Sequence, residues 1–225
     1  TGLNRSHMQR LVEGSAVSGH LKRELAQRWG MDGLVVVAGG AGDNAASAAG
    51  IGAIRPGEGF VSLGTSGVLF VSNDRFRPNT EGAVHAFCHA IPDTWHQMGV
   101  ILSATDSLNW LARITGQKQA ELSGAAEAQF KGPGEEIFLP YLSGERTPHN
   151  NANARGSFVG LSHLSDPARL AQAVMEGVTF AFRDSQNVLQ AAGTKIERIL
   201  AVGGGSKSAL WLKLIATNLD MEIAL

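Results

Sequence analysis

The sequence predicts an α/β domain of the ribonuclease-H-like type, with a mixed sheet flanked by helices. Three glycine-rich turns, at residues 39–42, 64–67 and 203–205, stand where predicted strands end. An antiparallel series of strands leads into helices, and the chain then returns through a strand followed by a helix. This order of elements could gather the three turns at one edge of a single sheet, which is where open α/β sheets bind ligands.

Composition narrows the classes of function. The net charge is −1 and the chain has no basic run, so nothing indicates a nucleic-acid surface. No apolar stretch reaches transmembrane length and no signal peptide opens the chain. The single cysteine, Cys88, excludes an internal disulfide and fits a reducing compartment. We therefore expect a cytoplasmic protein whose partners are small molecules rather than nucleic acids or membranes.

Residues 34–52 contain the first candidate site. Four apolar, mostly β-branched residues at 34–37 predict a buried strand, and three glycines separate it from an alanine-rich helix that opens at Asp43 and Asn44. Asp43 suits the N-cap of that helix. It also suits a carboxylate held at the mouth of a cleft, and the two roles are compatible.

A dinucleotide site is an alternative for the same segment. Residues 40–45 match G-x-G-x-x-A, and Glu58 lies near the expected downstream acid. However, Asp43 would place a negative charge beside the pyrophosphate, and the chain after Ala53 continues as short strands rather than as a βαβ unit. An NAD-binding oxidoreductase is therefore the more distant alternative.

The other two glycine turns could each hold an anion. Strands at 59–63 and 68–72 flank Gly64-Thr65-Ser66-Gly67, which is typical of a hairpin and also of a phosphate cradle. It is not a Walker loop, because the G-K-[ST] element is missing. A strand at 196–202, the run Gly203-Gly204-Gly205-Ser206 and a helix through residue 219 predict either a tight turn or a nucleotide site at a helix N-terminus.

The rest of the chain predicts further helices and strands. Asp166 and Pro167 open the longest helix in the cap and N1 positions. For the histidines at 85, 89 and 96 we expect packing beside aromatic residues rather than a zinc site, because nothing supplies the further ligands. The polar run at 142–151 suits a solvated loop or a functional one. The predicted helices are 19–29, 103–115, 119–130 and 167–192, and the further strands are 84–90, 95–100 and 137–141.

Four motifs occur together in the order seen in the FGGY carbohydrate kinases. They are GAGDNAA at 40–46, SLGTSG at 62–67, FLPYLSGERTPH at 138–149 and GGG at 203–205. Each is weak alone, but the resemblance covers nearly the whole chain from about residue 11. It implies the actin-like ATPase superfold, in which two ribonuclease-H-like domains enclose a cleft where ATP and sugar meet.

The resemblance implies a role for each motif. Asp43 is expected to be the catalytic base that takes the proton of the attacking sugar hydroxyl, and Asp43 and Asn44 are expected to contact the sugar. ATP and Mg²⁺ are the implied cofactors, although no ligand set for the metal is visible. Residues 156–176 resemble the second FGGY signature, from which Arg169 departs, and this departure is expected to be a surface change. The residues expected to contact the nucleotide are Gly64, Thr65, Ser66, Asn109, Gly204, Gly205 and Ser206.

The resemblance also predicts which parts of the family's two domains the chain contains. The Asp-x-Gly-Thr phosphate loop of the family's N-terminal domain and the last helices of its C-terminal domain are not found. We therefore expect residues 1–33 to end the N-terminal or hinge region and residues 34–225 to be the nucleotide-side C-terminal domain. The chain alone is then expected to have little or no kinase activity.

The implied reaction of the longer enzyme is phosphorylation of D-xylulose at O5 with Mg-ATP. A kinase for another ketose or polyol, such as ribulose, rhamnulose or glycerol, is one alternative. A non-catalytic module of the same fold that binds nucleotide or sugar is another, although the presence of Asp43 counts against it. A homodimer is left open, because the sequence is silent on oligomeric state.

Overall fold

The structure is a computed structural model and describes residues 2–225. Within those residues no helix is both long enough and apolar enough to cross a bilayer. In chain order the strands and α-helices are β1 (Val17–His20), α1 (Arg23–Arg28), β2 (Val36–Ala38), α2 (Asp43–Ile51), β3 (Glu58–Leu63), β4 (Gly67–Asn73), β5 (His85–Cys88), β6 (Trp95–Ile101), α3 (Thr105–Thr115), α4 (Gln119–Gln129), β7 (Ile137–Leu139), β8 (Ser157–Val159), α5 (Pro167–Ala191), β9 (Arg198–Val202), α6 (Ala209–Leu219) and β10 (Ile223–Ala224).

A six-stranded mixed sheet forms the centre of the fold, in the order β10-β9-β3-β4-β6-β5. The neighbours β3, β4, β6 and β5 pair antiparallel, and Leu63 faces Gly67 across the hairpin between β3 and β4. Strand β9 returns parallel to β3 and also pairs parallel with β10. The predicted mixed sheet, its antiparallel series and its returning strand–helix unit are confirmed.

Helices cover both faces of this sheet. On one face α3, α4, α5 and α6 surround a core that contains Phe182 and Trp211, both almost fully buried. On the other face Ala48 of α2 packs against Phe60 and Phe70. Full burial of one large apolar side chain stabilises a fold by roughly 1.5–3 kcal/mol, so both faces contribute to stability.

Helix α5 begins and ends as the sequence predicts. The carboxylate of Asp166 accepts a hydrogen bond from the backbone N–H of Arg169 at 2.9 Å, and Pro167 occupies the first helical position. The bond satisfies one of the otherwise free N–H groups of the first turn, and the proline ring fixes φ near its helical value. The helix ends at Ala191, and Gly193 follows in the left-handed conformation.

The N-terminal segment differs from the prediction. The strand predicted at 34–37 is present as β2 but it is exposed, and it pairs antiparallel with β1 in a separate two-stranded sheet. The helix predicted at 19–29 is wrong in its first turn, because β1 reaches His20 and α1 begins only at Arg23. β-Branched residues favour an extended backbone, but they do not show which surface will cover the strand.

The polar run at 142–151 is exposed in part, but two of its polar side chains are buried. Glu145 is 2% exposed and Thr147 is fully buried. The Thr147 hydroxyl accepts a hydrogen bond from the N–H of Val100 at 2.9 Å, and one Glu145 oxygen accepts a bond from the N–H of Leu102 at 3.0 Å. These two side chains fasten the loop to the end of β6, so the loop is held in place at its centre while its other polar residues remain exposed.

Candidate functional site

A cavity of about 620 Å³ lies where the second and third glycine turns meet. Strands β3 and β9 are parallel neighbours with Ser62 opposite Val202, so the turns that follow them leave the sheet side by side. Five of the residues expected to contact a nucleotide line this cavity. They are Gly64, Thr65, Asn109, Gly204 and Gly205.

The third turn lies so close to the end of β3 that side chains are excluded at two of its three glycines. A Cβ atom on Gly203 would lie 2.7 Å from the carbonyl oxygen of Leu63, and one on Gly205 would lie 2.8 Å from the Leu63 Cβ. Gly203 also has φ of +93°, which glycine adopts without strain. Gly204 is different, because no atom lies within 4 Å of the position of its missing Cβ. At Gly204, therefore, glycine leaves room in the cavity rather than relieving a clash.

In the second turn the carbonyl groups of Gly64 and Thr65 are hydrogen-bonded to the start of α3, whereas the N–H groups are not hydrogen-bonded to any described residue. The Gly64 carbonyl accepts hydrogen bonds from the N–H and the hydroxyl of Thr105, at 2.9 and 2.7 Å, and the Thr65 carbonyl accepts one from the N–H of Ala104 at 2.9 Å. These bonds begin α3. Within residues 2–225 the N–H groups of Gly64, Thr65 and Ser66 donate to no other group. Such free, neighbouring N–H groups suit an anion.

Two of the predicted nucleotide residues do not line the cavity. Ser66 belongs to the turn but lies outside the lining. The Ser206 hydroxyl donates to the Gly203 carbonyl at 2.7 Å, so it closes the third turn. The direct passage from glycine run to α-helix is also wrong, because a 3-10 helix at Gly204–Lys207 precedes α6.

The structure adds polar lining residues that the sequence analysis missed. On α4 they are spaced four residues apart, which places them on one helical face, and this spacing was a signal available in the sequence. Ser208 also accepts a hydrogen bond from the N–H of Trp211 at 3.3 Å, as the N-cap of α6. The added polar residues are Thr105, Gln119, Ser123, Glu127, Lys207 and Ser208.

A second cavity, of about 240 Å³, is lined by Asp43 and Asn44. We call it the Asp43 cavity. The N-cap of α2 is Gly42 and Asp43 is its first helical residue, so the N-cap prediction is wrong. One Asp43 oxygen accepts bonds from the N–H of Asn44 at 2.8 Å and from the Asn44 side-chain amide at 3.2 Å. A carboxylate in the first turn is also stabilised by the positive end of the helix.

The first glycine turn lies apart from the other two. The strand before it, β2, is not part of the six-stranded sheet, and α2 packs on the sheet face opposite α5. Accordingly the Asp43 cavity shares no lining residue with the larger cavity. The expectation that all three turns meet at one sheet edge holds for the second and third turns only.

Two other predicted features fall outside both cavities. The Glu58 carboxylate accepts hydrogen bonds from the N–H groups of Ile54 and Arg55, at 3.2 and 3.0 Å, so it closes the turn after α2. Arg169 is partly exposed and forms ion pairs with Glu135 at 2.7 Å and Glu136 at 3.1 Å. Glu58 therefore has a local structural role and is not available as the downstream acid that the dinucleotide alternative requires.

The histidines at 85, 89 and 96 pack among aromatic rings, as expected. His96 stacks on Phe70 with ring centroids 4.6 Å apart, and His89 meets both of these rings edge-on. Burial lowers the pKa of His89 and lowers that of His96 to about 4. Among residues 2–225 no cluster of three His, Cys, Asp or Glu side chains could hold a metal ion.

The buried histidines predict acid sensitivity. The pKa of His96 falls from 6.5 to about 4 on folding, so the unfolded chain binds a proton that the folded chain does not. We therefore expect the free energy of unfolding to decrease as the pH falls through this window. Glu145 and Asp184 act in the opposite sense, because burial raises the pKa of each carboxyl.

Urea unfolding at several pH values between 7.5 and 4.5 would test this prediction. His96→Gln should flatten the dependence relative to the unmodified protein, since glutamine does not titrate. His163→Gln, at an exposed position, is the matched control and should change nothing. Identical pH slopes for the unmodified protein and His96→Gln would contradict the prediction.

Residues 59–225 match the C-terminal domain of the FGGY family of carbohydrate kinases. This chain belongs to that family. It is 47% identical over 215 residues to Xylulose kinase of Escherichia coli strain K12, covering 95% of this chain and 44% of the relative. It is 48% identical over 222 residues to Xylulose kinase of Klebsiella pneumoniae, covering 98% and 46%. The FGGY chain thus spans less than half the length of these curated relatives.

Solved structures agree with the family assignment. A protein described as a xyloylose kinase from Brucella ovis matches with a TM-score of 0.95 and 57% identity, over 100% of this FGGY chain and 46% of the other chain. A ligand-bound xylulose kinase from Lactobacillus acidophilus matches with a TM-score of 0.84 and 28% identity, over 98% and 45%. The predicted ribonuclease-H-like fold of the actin-like ATPase superfold is confirmed.

Proposed function

We propose that the chain is the nucleotide-side domain of a kinase that transfers the γ-phosphoryl group of Mg-ATP to O5 of D-xylulose. The observation that carries the proposal is the 620 Å³ cavity into which two glycine turns of adjacent parallel strands open. We choose D-xylulose as the substrate because the relatives are named as xylulose kinases. The products are D-xylulose 5-phosphate and ADP, and a base accepts the proton of the O5 hydroxyl.

The larger cavity suits the nucleotide. The free N–H groups of Gly64 and Thr65 would bind phosphate oxygens, and Lys207 adds a positive charge to the lining. The amide of Asn109 and the polar face of α4 can hydrogen-bond to the ribose or the base. Phosphoryl transfer depends mainly on positioning and charge stabilisation, which fixed backbone donors provide without reorganisation.

Asp43 is the proposed base. Its carboxylate is exposed at the start of α2, beside the cavity that would receive the sugar, and Asn44 can contact a second hydroxyl. Asp43 would accept the proton of the attacking O5 hydroxyl. Mg²⁺ would bind together with the nucleotide phosphates and neutralise part of their negative charge. We assign it no protein ligand, because the described residues hold no cluster of carboxylates or imidazoles for it.

The remaining features of this proposal are predictions. The division at residues 33 and 34 into a hinge region and a C-terminal domain is one of them, and β1 and β2 pair across it. A cytoplasmic location, consistent with the single cysteine, is another.

A substitution at Gly204 tests the nucleotide site. Gly204→Leu should fold normally, because the position of its Cβ has no neighbour within 4 Å, but the side chain would occupy the cavity. We expect Mg-ATP affinity to fall about tenfold or more, which corresponds to about 1.4 kcal/mol of binding free energy. Isothermal titration with Mg-ATP would measure the change, and NAD⁺ would be titrated in parallel.

Gly50→Leu is the matched control. Gly50 is exposed on α2, its Cβ position is equally free of neighbours, and it lines neither cavity. The control should bind Mg-ATP normally. Equal Mg-ATP affinity in Gly204→Leu and the unmodified protein would contradict the nucleotide assignment. Binding of NAD⁺ but not of Mg-ATP would support the oxidoreductase alternative instead.

A further inference from the structure

The polar run between β7 and β8 holds a positive charge that the proposed reaction does not yet use. Arg146 is exposed, whereas its two neighbours in the chain, Glu145 and Thr147, are buried. One Glu145 oxygen accepts a bond from the N–H of Leu102 at 3.0 Å. The N–H of Thr147 donates to the carbonyl of Val100 at 3.1 Å. The backbone on either side of Arg146 is therefore fixed to the end of β6.

The Arg146 side chain lies beside the Asp43 cavity. Its Nη1 atom donates to Nε2 of His85 at 3.4 Å, since a guanidinium can only donate. Burial, reinforced by the charge of Arg146, lowers the pKa of His85, so the ring is neutral near pH 7 and can accept. His85 meets Phe87 edge-on with ring centroids 5.6 Å apart, and Phe87 lines the Asp43 cavity. One aromatic ring thus separates the partner of Arg146 from the cavity proposed for the sugar.

Arg146 also lies near the second glycine turn. Gly67, the last residue of that turn, pairs with Ile101 from one side of β6. Thr147 bonds to the N–H and the carbonyl of Val100 from the other side, because successive residues of a strand direct their backbone groups to opposite neighbours. Two strand spacings, roughly 10 Å, therefore separate the turn from the backbone beside Arg146. A phosphate bound at the turn and a long arginine side chain can together span that gap.

The charge of Arg146 is available to an anion. Within residues 2–225 its guanidinium forms no ion pair with a carboxylate. The neighbouring Glu145 uses one oxygen to accept from two backbone N–H groups instead, and burial raises the pKa of its carboxyl. A guanidinium presents five N–H donors in one plane, which matches the spacing of phosphoryl oxygens. A donor set for a phosphoryl group thus lies between the proposed sugar cavity and the proposed phosphate turn.

We infer that Arg146 is a catalytic residue whose guanidinium contacts the phosphoryl group while it passes from the nucleotide to the sugar. In this step the bond from the γ-phosphorus to the oxygen shared with the β-phosphate breaks, and its electron pair stays on ADP. The bond to O5 of the sugar forms, and Asp43 accepts the O5 proton. Arg146 keeps its own protons and stabilises the charge that spreads over the equatorial oxygens. The inference rests on the proposed function, which places the sugar beside Asp43 and the phosphates at the second turn.

Steady-state kinetics of the complete kinase test the inference. Arg146→Met should fold, because the side chain is exposed, and should lower kcat about 10²- to 10³-fold, the range for one lost transition-state donor. The KM values for D-xylulose and Mg-ATP should change little. Arg146→Lys should recover only part of the rate, because an ammonium keeps the charge but not the planar fork. Arg113→Met is the control, since Arg113 is exposed on α3 and lines neither cavity.

Binding of a planar phosphoryl mimic separates a catalytic role from a structural one. Isothermal titration should show unchanged Mg-ADP affinity in Arg146→Met. With aluminium fluoride and D-xylulose present, the same variant should bind Mg-ADP about 100-fold more weakly than the unmodified kinase does. An unchanged kcat, or an equal loss of affinity with and without aluminium fluoride, would overturn the inference and leave the proposed function intact. If the unmodified kinase phosphorylates no sugar at all, the proposed function fails and the inference fails with it.

Discussion

Asp43→Asn is expected to reduce sugar phosphorylation by the complete kinase by about 10²- to 10⁴-fold in kcat, the range typical of a lost general base. Asparagine preserves the size of the side chain and can still accept the bond from the N–H of Asn44. It cannot take up the proton of the attacking hydroxyl. The larger cavity shares no lining residue with the Asp43 cavity, so Mg-ATP affinity should not change.

The measurement is ADP release with Mg-ATP and a panel of D-xylulose, L-ribulose, L-rhamnulose and glycerol. Asp32→Asn is the matched control, because Asp32 is an exposed carboxylate of the same N-terminal segment and lines neither cavity. A strong preference for D-xylulose that collapses only in Asp43→Asn would support both the substrate and the base. Full activity of Asp43→Asn would reduce Asp43 to a structural residue of the first turn of α2.

The hairpin and the long helix show what local sequence can predict. The Gly64-Thr65-Ser66-Gly67 turn and the Asp166-Pro167 cap each depend on a few neighbouring residues, so their positions were predictable from the chain alone. The meeting of Gly64 with Gly204 depends on the parallel pairing of β3 with β9. That pairing joins residues about 140 positions apart, and the order of elements together with the family resemblance was needed to expect it.

Burial was the property that the sequence predicted least well. Leu34 and Val36 belong to an apolar run, but Leu34 is 74% exposed and Val36 is 53% exposed. Glu145 and Thr147 lie in a polar run and are nearly inaccessible. A periodic pattern predicts conformation, whereas burial is decided by distant partners, here the end of β6 for the polar run. His96 illustrates the same limit, because its place in the Asp43 cavity follows from the packing of α2 on the sheet.

The glycine in the middle of α5 provides the strongest test of the packing. Gly177 is buried in a helix of 25 residues, where glycine costs about 1 kcal/mol relative to alanine. Its missing Cβ would lie well inside the 3.0 Å that Cβ atoms respect from the carbonyl oxygen of Phe138 in β7. The strand therefore contacts the helix backbone directly. We expect Gly177→Ala to lower the free energy of unfolding by about 3 kcal/mol, or roughly 6–12 °C in Tm.

Gly50→Ala is the matched control, since it makes the same change in an α-helix where no atom lies within 4 Å of the added carbon. It should stabilise the protein by about 0.5–1 kcal/mol. Urea unfolding of both variants measures the difference, and equal effects would show that β7 does not rest on α5 as described. The contact also reaches the nucleotide cavity, because Phe138 stacks on Trp110 with centroids 5.9 Å apart and Trp110 follows Asn109 in α3. Gly177→Ala should therefore weaken Mg-ATP binding even below its own Tm, whereas Gly50→Ala should not.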